Sequence, residues 1–89
     1  MLDGSGVLLA ALDAQALFGG IPPPMGFLVQ NNSPYPLWVN DSGAAEAGGS
    51  SFLVPPNGGI FVTPPGYHPA GAVSVFGEKR GQAFAARAW

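Results

Sequence analysis

Glycine and proline cut this chain into runs too short for long helices, and that punctuation constrains the fold more than any other feature. Fourteen glycines and ten prolines stand between apolar runs, where they read as turns of a β protein. Six runs show the period-2 alternation of strands: Phe27–Gln30, Tyr35–Asn40, Ser51–Val54, Ile60–Thr63, Ala72–Phe76 and Gln82–Trp89. In the second, Leu37 and Val39 share one face and Trp38 and Asn40 the other. In the third, Phe52 and Val54 oppose Leu53, and in the fifth Val73 and Val75 oppose Ser74 and Phe76. In the last, Phe84, Ala86 and Ala88 oppose Ala85, Arg87 and Trp89.

The connections are chemically specific. Asn57-Gly58-Gly59, after Pro55-Pro56, favours a turn with positive φ. Gly77 to Gly81 reads as the tip of a hairpin joining the fifth and sixth strands. The stretch 64–71 cannot be a strand interior, because Pro64, Pro65 and Pro69 lack amide donors. Asp41 to Ser50 is small, polar and expected to be mobile. The expected fold is mainly β: a small antiparallel sandwich or barrel of about six short strands over residues 27–89.

Residues 1–26 read differently. Ser5 to Phe18 is expected to form a short helix with Ser5 as N-cap and Gly19 or Gly20 as C-cap, followed by the linker Gly19-Gly20-Ile21-Pro22-Pro23-Pro24. At about 12 residues and apolar nearly all round, such a helix must dock, on its own domain or as an arm on a neighbouring subunit. On the arm reading, removal of residues 2–20 leaves the β module folded.

Charge limits the function classes. Three basic and five acidic residues, 9% of the chain, stand against about a quarter in ordinary soluble domains. Free-living domains need charge to stay apart, so a chain this neutral suits a position among other proteins. Lys79, Arg80 and Arg87 are too few to neutralise a run of phosphates or to hold an anionic membrane surface. No segment has the 18 or more apolar residues of a membrane helix, and Val7–Leu12 lacks the preceding cation of a secretory signal. Without cysteine, no disulfide or thiolate metal site forms, and oligomerisation is the remaining common way to stabilise so small a chain.

Chemistry-bearing residues are sparse. His68 is the only histidine; Asp41 and a serine could complete a triad on paper, but no nucleophile motif frames a serine. Asp41, Glu46 and Asn40 share a loop that could hold calcium weakly. No glycine-rich phosphate loop or dinucleotide fingerprint occurs. Tyr35, Trp38, Tyr67 and Trp89 could form an aromatic platform for a sugar or a protein, or Trp38 could belong to the core. Asn31-Asn32-Ser33 and Asn40-Asp41-Ser42 match the glycosylation pattern, and both read as turn chemistry. The expectation is a chain with no enzymatic activity and no cofactor.

The stretch Val29-Gln30-Asn31-Asn32-Ser33, then Pro36-Leu37-Trp38-Val39-Asn40, an Ala/Gly loop, and Ser51-Phe52-Leu53-Val54-Pro55-Pro56 resembles small β-rich structural proteins of tailed bacteriophages. So does Ala72-Val73-Ser74-Val75-Phe76-Gly77 followed by Gly81-Gln82-Ala83-Phe84. The resemblance covers residues 27–89. It implies a virion structural protein, with a capsid decoration or cement subunit as first expectation and a tail, baseplate or fibre component as alternative. A small carbohydrate-binding module using Tyr35, Trp38 or Tyr67 is the other class. The expected partners are other virion proteins, the major capsid protein first, and further copies of the chain. The expected contacts are Leu8, Leu9, Leu12, Leu17 and Phe18 in the arm, with Tyr67 and Trp89.

Overall fold

The computed structural model describes residues 1–89. It contains nine strands: β1 (Leu2–Asp3), β2 (Gly6–Val7), β3 (Gln15–Ala16), β4 (Phe27–Asn31), β5 (Leu37–Asn40), β6 (Phe52–Val54), β7 (Gly59–Val62), β8 (Ser74–Gly77) and β9 (Ala83–Ala88). They form two antiparallel sheets. The first runs β1-β9-β4-β7, with β2 also on β9; the second runs β3-β8-β5-β6. All six strands expected from alternation form, and they stack as a small β-sandwich.

The inner faces carry the core. Phe27 and Val29 of β4 and Phe84, Ala86 and Ala88 of β9 meet Leu37 and Val39 of β5, Val54 of β6 and Val75 of β8, all buried. On the open side, between edge strands β6 and β7, Phe52 stacks on Phe61 with ring centroids 4.6 Å apart. Phe61 in turn lies 5.7 Å from Phe27.

Residues 1–26 are neither an arm nor a helix. They are woven into both sheets. β1 and β2 are one interrupted strand in a single register on β9, Leu2 facing Ala88 and Val7 facing Ala83. At the interruption the Ser5 hydroxyl accepts from the Ala86 amide at 3.0 Å, replacing a backbone partner. The chain then crosses to the second sheet, where β3 pairs with β8. Leu8, Leu17, Phe18 and Val73 add to the core cluster. Phe18–Gly20 forms only a 3-10 turn.

The helix loses because the edge of β9 offers more. Without residues 2–7, the amides and carbonyls on one side of a largely buried strand would have no partner. A short helix in the same place would satisfy only itself.

The expected 77–81 hairpin is also corrected. β8 and β9 lie in different sheets, so residues 78–82 form a corner between layers. Turn residues look the same in sequence for either use. The corner is held from inside by Gln82. Its Nε2 donates to Ser33 Oγ at 3.1 Å and to the Pro36 carbonyl at 3.1 Å, and its Oε1 accepts from the Lys79 amide at 3.0 Å. Gly77 makes room for this. A β-carbon there would sit 2.6 Å from Leu8 Cδ1 and 2.5 Å from Gln82 Oε1. The expected Asn57–Gly58 turn forms with φ of 61° and 96°.

The loop after β5 is pinned rather than loose. Asn40 Nδ2 donates to Ser50 Oγ and Ser51 Oγ. The Ala45 amide donates to Ser74 Oγ at 2.8 Å, and Ala45 itself is buried.

Candidate functional site

The side chains that could carry catalysis are engaged as structural ties. The Asp41 carboxylate accepts from the Tyr67 hydroxyl at 2.5 Å and from the Ala70 amide at 3.2 Å. This bond to a carboxylate holds the Tyr67 phenol above the ordinary tyrosine range, with burial and the Asp41 charge acting in the same direction. His68 is exposed, its Nδ1 3.3 Å from the Pro24 carbonyl. No serine hydroxyl hydrogen-bonds to it.

The calcium reading fails on geometry. The Asn40 side chain is committed to Ser42, Ser50 and Ser51, Asp41 to Tyr67, and Glu46 is exposed. No three His, Asp or Glu side chains converge.

Both glycosylation patterns are turn chemistry, as their residues suggest. Asn31 Oδ1 accepts from the Ser33 amide and hydroxyl, and Asn40 Oδ1 does the same with Ser42. Both asparagines are buried.

The aromatic candidates are scattered. Tyr35 precedes β5 and sits in a pocket of about 200 Å³ with Lys79 and Arg80, the Lys79 ammonium 5.6 Å from its ring. Trp38 is half-buried on the outer face of the second sheet, and Tyr67 lies beyond the other end of β5, over Asp41. Tyr67 and Trp89 do come together. With Met25, Thr63, Pro64 and His68 they line a hollow at one end of the sandwich.

The expected arm contacts divide. Leu8, Leu17 and Phe18 are core residues of this chain and have no surface to offer, which corrects their assignment to a partner. Leu9 and Leu12 are 73% and 67% exposed. They stand on a loop fixed to the sandwich by Leu12 N–H to the Gly77 carbonyl and Gly81 N–H to the Leu8 carbonyl.

The most unusual surface is one the sequence reading did not single out. Antiparallel sandwiches commonly turn polar residues outward. Here the outer faces are largely apolar, broken on the first sheet by Gln30 and by Arg87 opposite Leu28. On the first sheet, Leu28 faces Val62, and Gln30 lies between Ile60 and Ala85. On the second, Trp38 lies between Leu53 and Phe76. Ile60, Val62 and Leu53 are about half exposed. Arg87 and Asp3 form the one ion pair, at 2.8 Å on the first sheet's outer side. The sequence signal was present: apolar residues occupy both parities of these strands, and no formal charge occurs between Glu46 and Glu78.

Comparison with protein-family models, curated proteins and solved structures finds no match to the chain.

Proposed function

We propose that this protein is a structural subunit of a larger protein assembly, and that the assembly is a phage virion with the capsid surface as its station. What carries the reading is the largely apolar outer surface of both sheets, in a chain with three basic and five acidic residues. Large exposed apolar patches mark interaction surfaces, and a contact without charges avoids the cost of stripping water from ions. The virion and the capsid follow from the resemblance carried by residues 27–89.

The mechanism is mechanical. A rigid module bridges neighbouring subunits, and many weak contacts on a symmetric lattice add avidity. Leu9 and Leu12 offer contacts at one end, Tyr67 and Trp89 at the other, and the sheet faces lie between. The N-terminal segment is paired to β9 and β8 and gives Leu8, Leu17 and Phe18 to the core, so bridging relies on surfaces of the folded body and not on a swinging arm.

The test is to locate the chain in intact particles by cryo-electron microscopy with a tagged copy. Density over joints between capsid subunits is the expected result. Density confined to the tail moves the protein to the alternative station. Particles that never contain the chain, with the chain found only free in the lysate, overturn the reading.

A further inference from the structure

Strand β7 ends the first sheet, and no strand pairs with its far side. The Thr63 amide donates to the Phe27 carbonyl at 3.1 Å. Antiparallel pairs alternate between bonded and non-bonded positions, so Phe61 is bonded to Val29. Ile60 and Val62 therefore turn their N–H and C=O groups outward, into the open edge. Their side chains are 56% and 52% exposed.

Natural edges are guarded by charges, bulges or prolines. Prolines bound this one at Pro55-Pro56 and Pro64-Pro65 and keep it short. No lysine or other charge guards its middle, and none occurs between Glu46 and Glu78.

From this edge we infer that β7 is a self-pairing strand: two copies of the chain join antiparallel through it about a two-fold axis at Phe61. The choice of occupant rests on two observations. In an isologous contact the same patch meets itself, residue i against j and j against i, so an edge carrying charge of one sign would repel itself, and this edge carries none. The outward groups are also self-complementary. With Phe61 opposite its own copy, the Ile60 and Val62 positions of one chain meet the Val62 and Ile60 positions of the other, and every outward N–H finds a C=O. The pairing extends the five-stranded sheet across both subunits and places Phe52 and Phe61 of each copy beside the axis on the inner side. This contact rests on the reading of the chain as an assembly subunit and names one of its partners.

The experiment is sedimentation of the full chain over a concentration series up to about 0.5 mM, beside Ile60→Lys, Val62→Lys and the control Ile21→Lys. Circular dichroism confirms that each variant is folded. A dimer in the wild type and the control is expected, with a dissociation constant raised at least about tenfold in either edge variant. Val62→Pro deletes an outward amide without adding charge and is expected to act in the same direction. In a mixed sample of isotope-labelled and unlabelled chains, an intermolecular contact between the two Phe61 α-protons fixes the register.

A wild type that stays monomeric throughout, or a dimer indifferent to both lysines, overturns the inference. So does intermolecular contact in another register. The assembly reading fails separately: a chain that dimerises through β7 but never enters particles refutes the virion station alone, and one that enters particles as a monomer refutes the β7 contact alone.

Discussion

Asn31 is a buried polar side chain that ties distant parts of the fold together. Its Nδ2 donates to the Tyr35 carbonyl at 2.7 Å and the Val54 carbonyl at 3.0 Å, while its Oδ1 accepts from the Ser33 amide and hydroxyl. It thereby ties the first sheet to a strand of the second and shapes the crossing between them. Asn31→Ala takes these partners from the Val54 carbonyl and the Ser33 amide in a buried place, while the Tyr35 carbonyl keeps Ser33 Oγ and Gln82 Nε2, and each unsatisfied group costs about 1–3 kcal/mol. Relaxation and water recover part of that, so a loss of about 3 kcal/mol is expected in denaturant unfolding. At the other end of the sandwich, Tyr67 donates to Asp41 and its phenol is held above the ordinary value of 10.0 by that bond. A raised folded-state value means a contribution fully present below the unfolded value and lost as pH climbs through the folded one. Ultraviolet titration is expected to show one tyrosine ionising late, and Tyr67→Phe to remove that late step. If the late step survives in Tyr67→Phe, the tie to Asp41 is not its cause. Asp3 works in the opposite sense. The Ser5 amide, the Ser5 hydroxyl and Arg87 hold its carboxyl below the ordinary range, so its contribution is present above that range and is lost on acidification.

At the scale of elements, strands and turns were legible where side-chain parity alone decides them. Leu37 and Val39 against Trp38, or Phe84, Ala86 and Ala88 against their neighbours, separate inside from outside without reference to the rest of the fold. What was not legible depended on partners distant in sequence. Ser5 to Phe18 contains helix-favouring Leu, Ala and Gln, and nothing in it announces that Ser5 meets Ala86 or that Leu8 meets Gln82. The same limit applies to Gly77 to Gly81, whose turn chemistry says nothing of which sheet follows. The candidate surface was hidden for a related reason: Ile60 and Val62 look like ordinary strand residues until β7 is known to be an edge. Removing residues 2–20 now carries a definite expectation. The deletion strips Leu8, Leu17 and Phe18 from the core and leaves one side of β9 and of β8 unpaired. A single large-to-small core change already costs about 2–5 kcal/mol, against a total stability of about 5–15 kcal/mol for a domain. The truncated chain is expected to be unfolded by circular dichroism and proton NMR. A cooperative unfolding transition in it would restore the view that residues 1–26 are an appendage.

For the whole molecule, the question is what force holds it to its companions, and two kinds of surface offer contrasting answers. One is the apolar area of the sheet faces and of β7. The other is the corner where Lys79 and Arg80 gather beside Tyr35, which holds two of the chain's three cations. The two respond oppositely to solvent. Contacts between exposed charges weaken as salt shortens the screening length from about 10 Å at 0.1 M to about 3 Å at 1 M. Apolar contacts are strengthened by sulfate and weakened by cooling, and their formation lowers the heat capacity. Leu28, Ile60, Val62, Trp38, Leu53 and Phe76 form broad faces, whereas the basic corner also contains Glu78, which offsets part of its field. The apolar area is therefore expected to dominate. Self-association measured by sedimentation should shift by less than about threefold in dissociation constant between 0.1 and 1 M sodium chloride, tighten in sulfate, and loosen on cooling from 25 °C toward 5 °C. Titration calorimetry of dilution should give a negative heat-capacity change on association. A steep weakening with sodium chloride, abolished by Lys79→Gln with Arg80→Gln, would instead make the basic corner the contact and leave the bare sheet faces without a role in assembly.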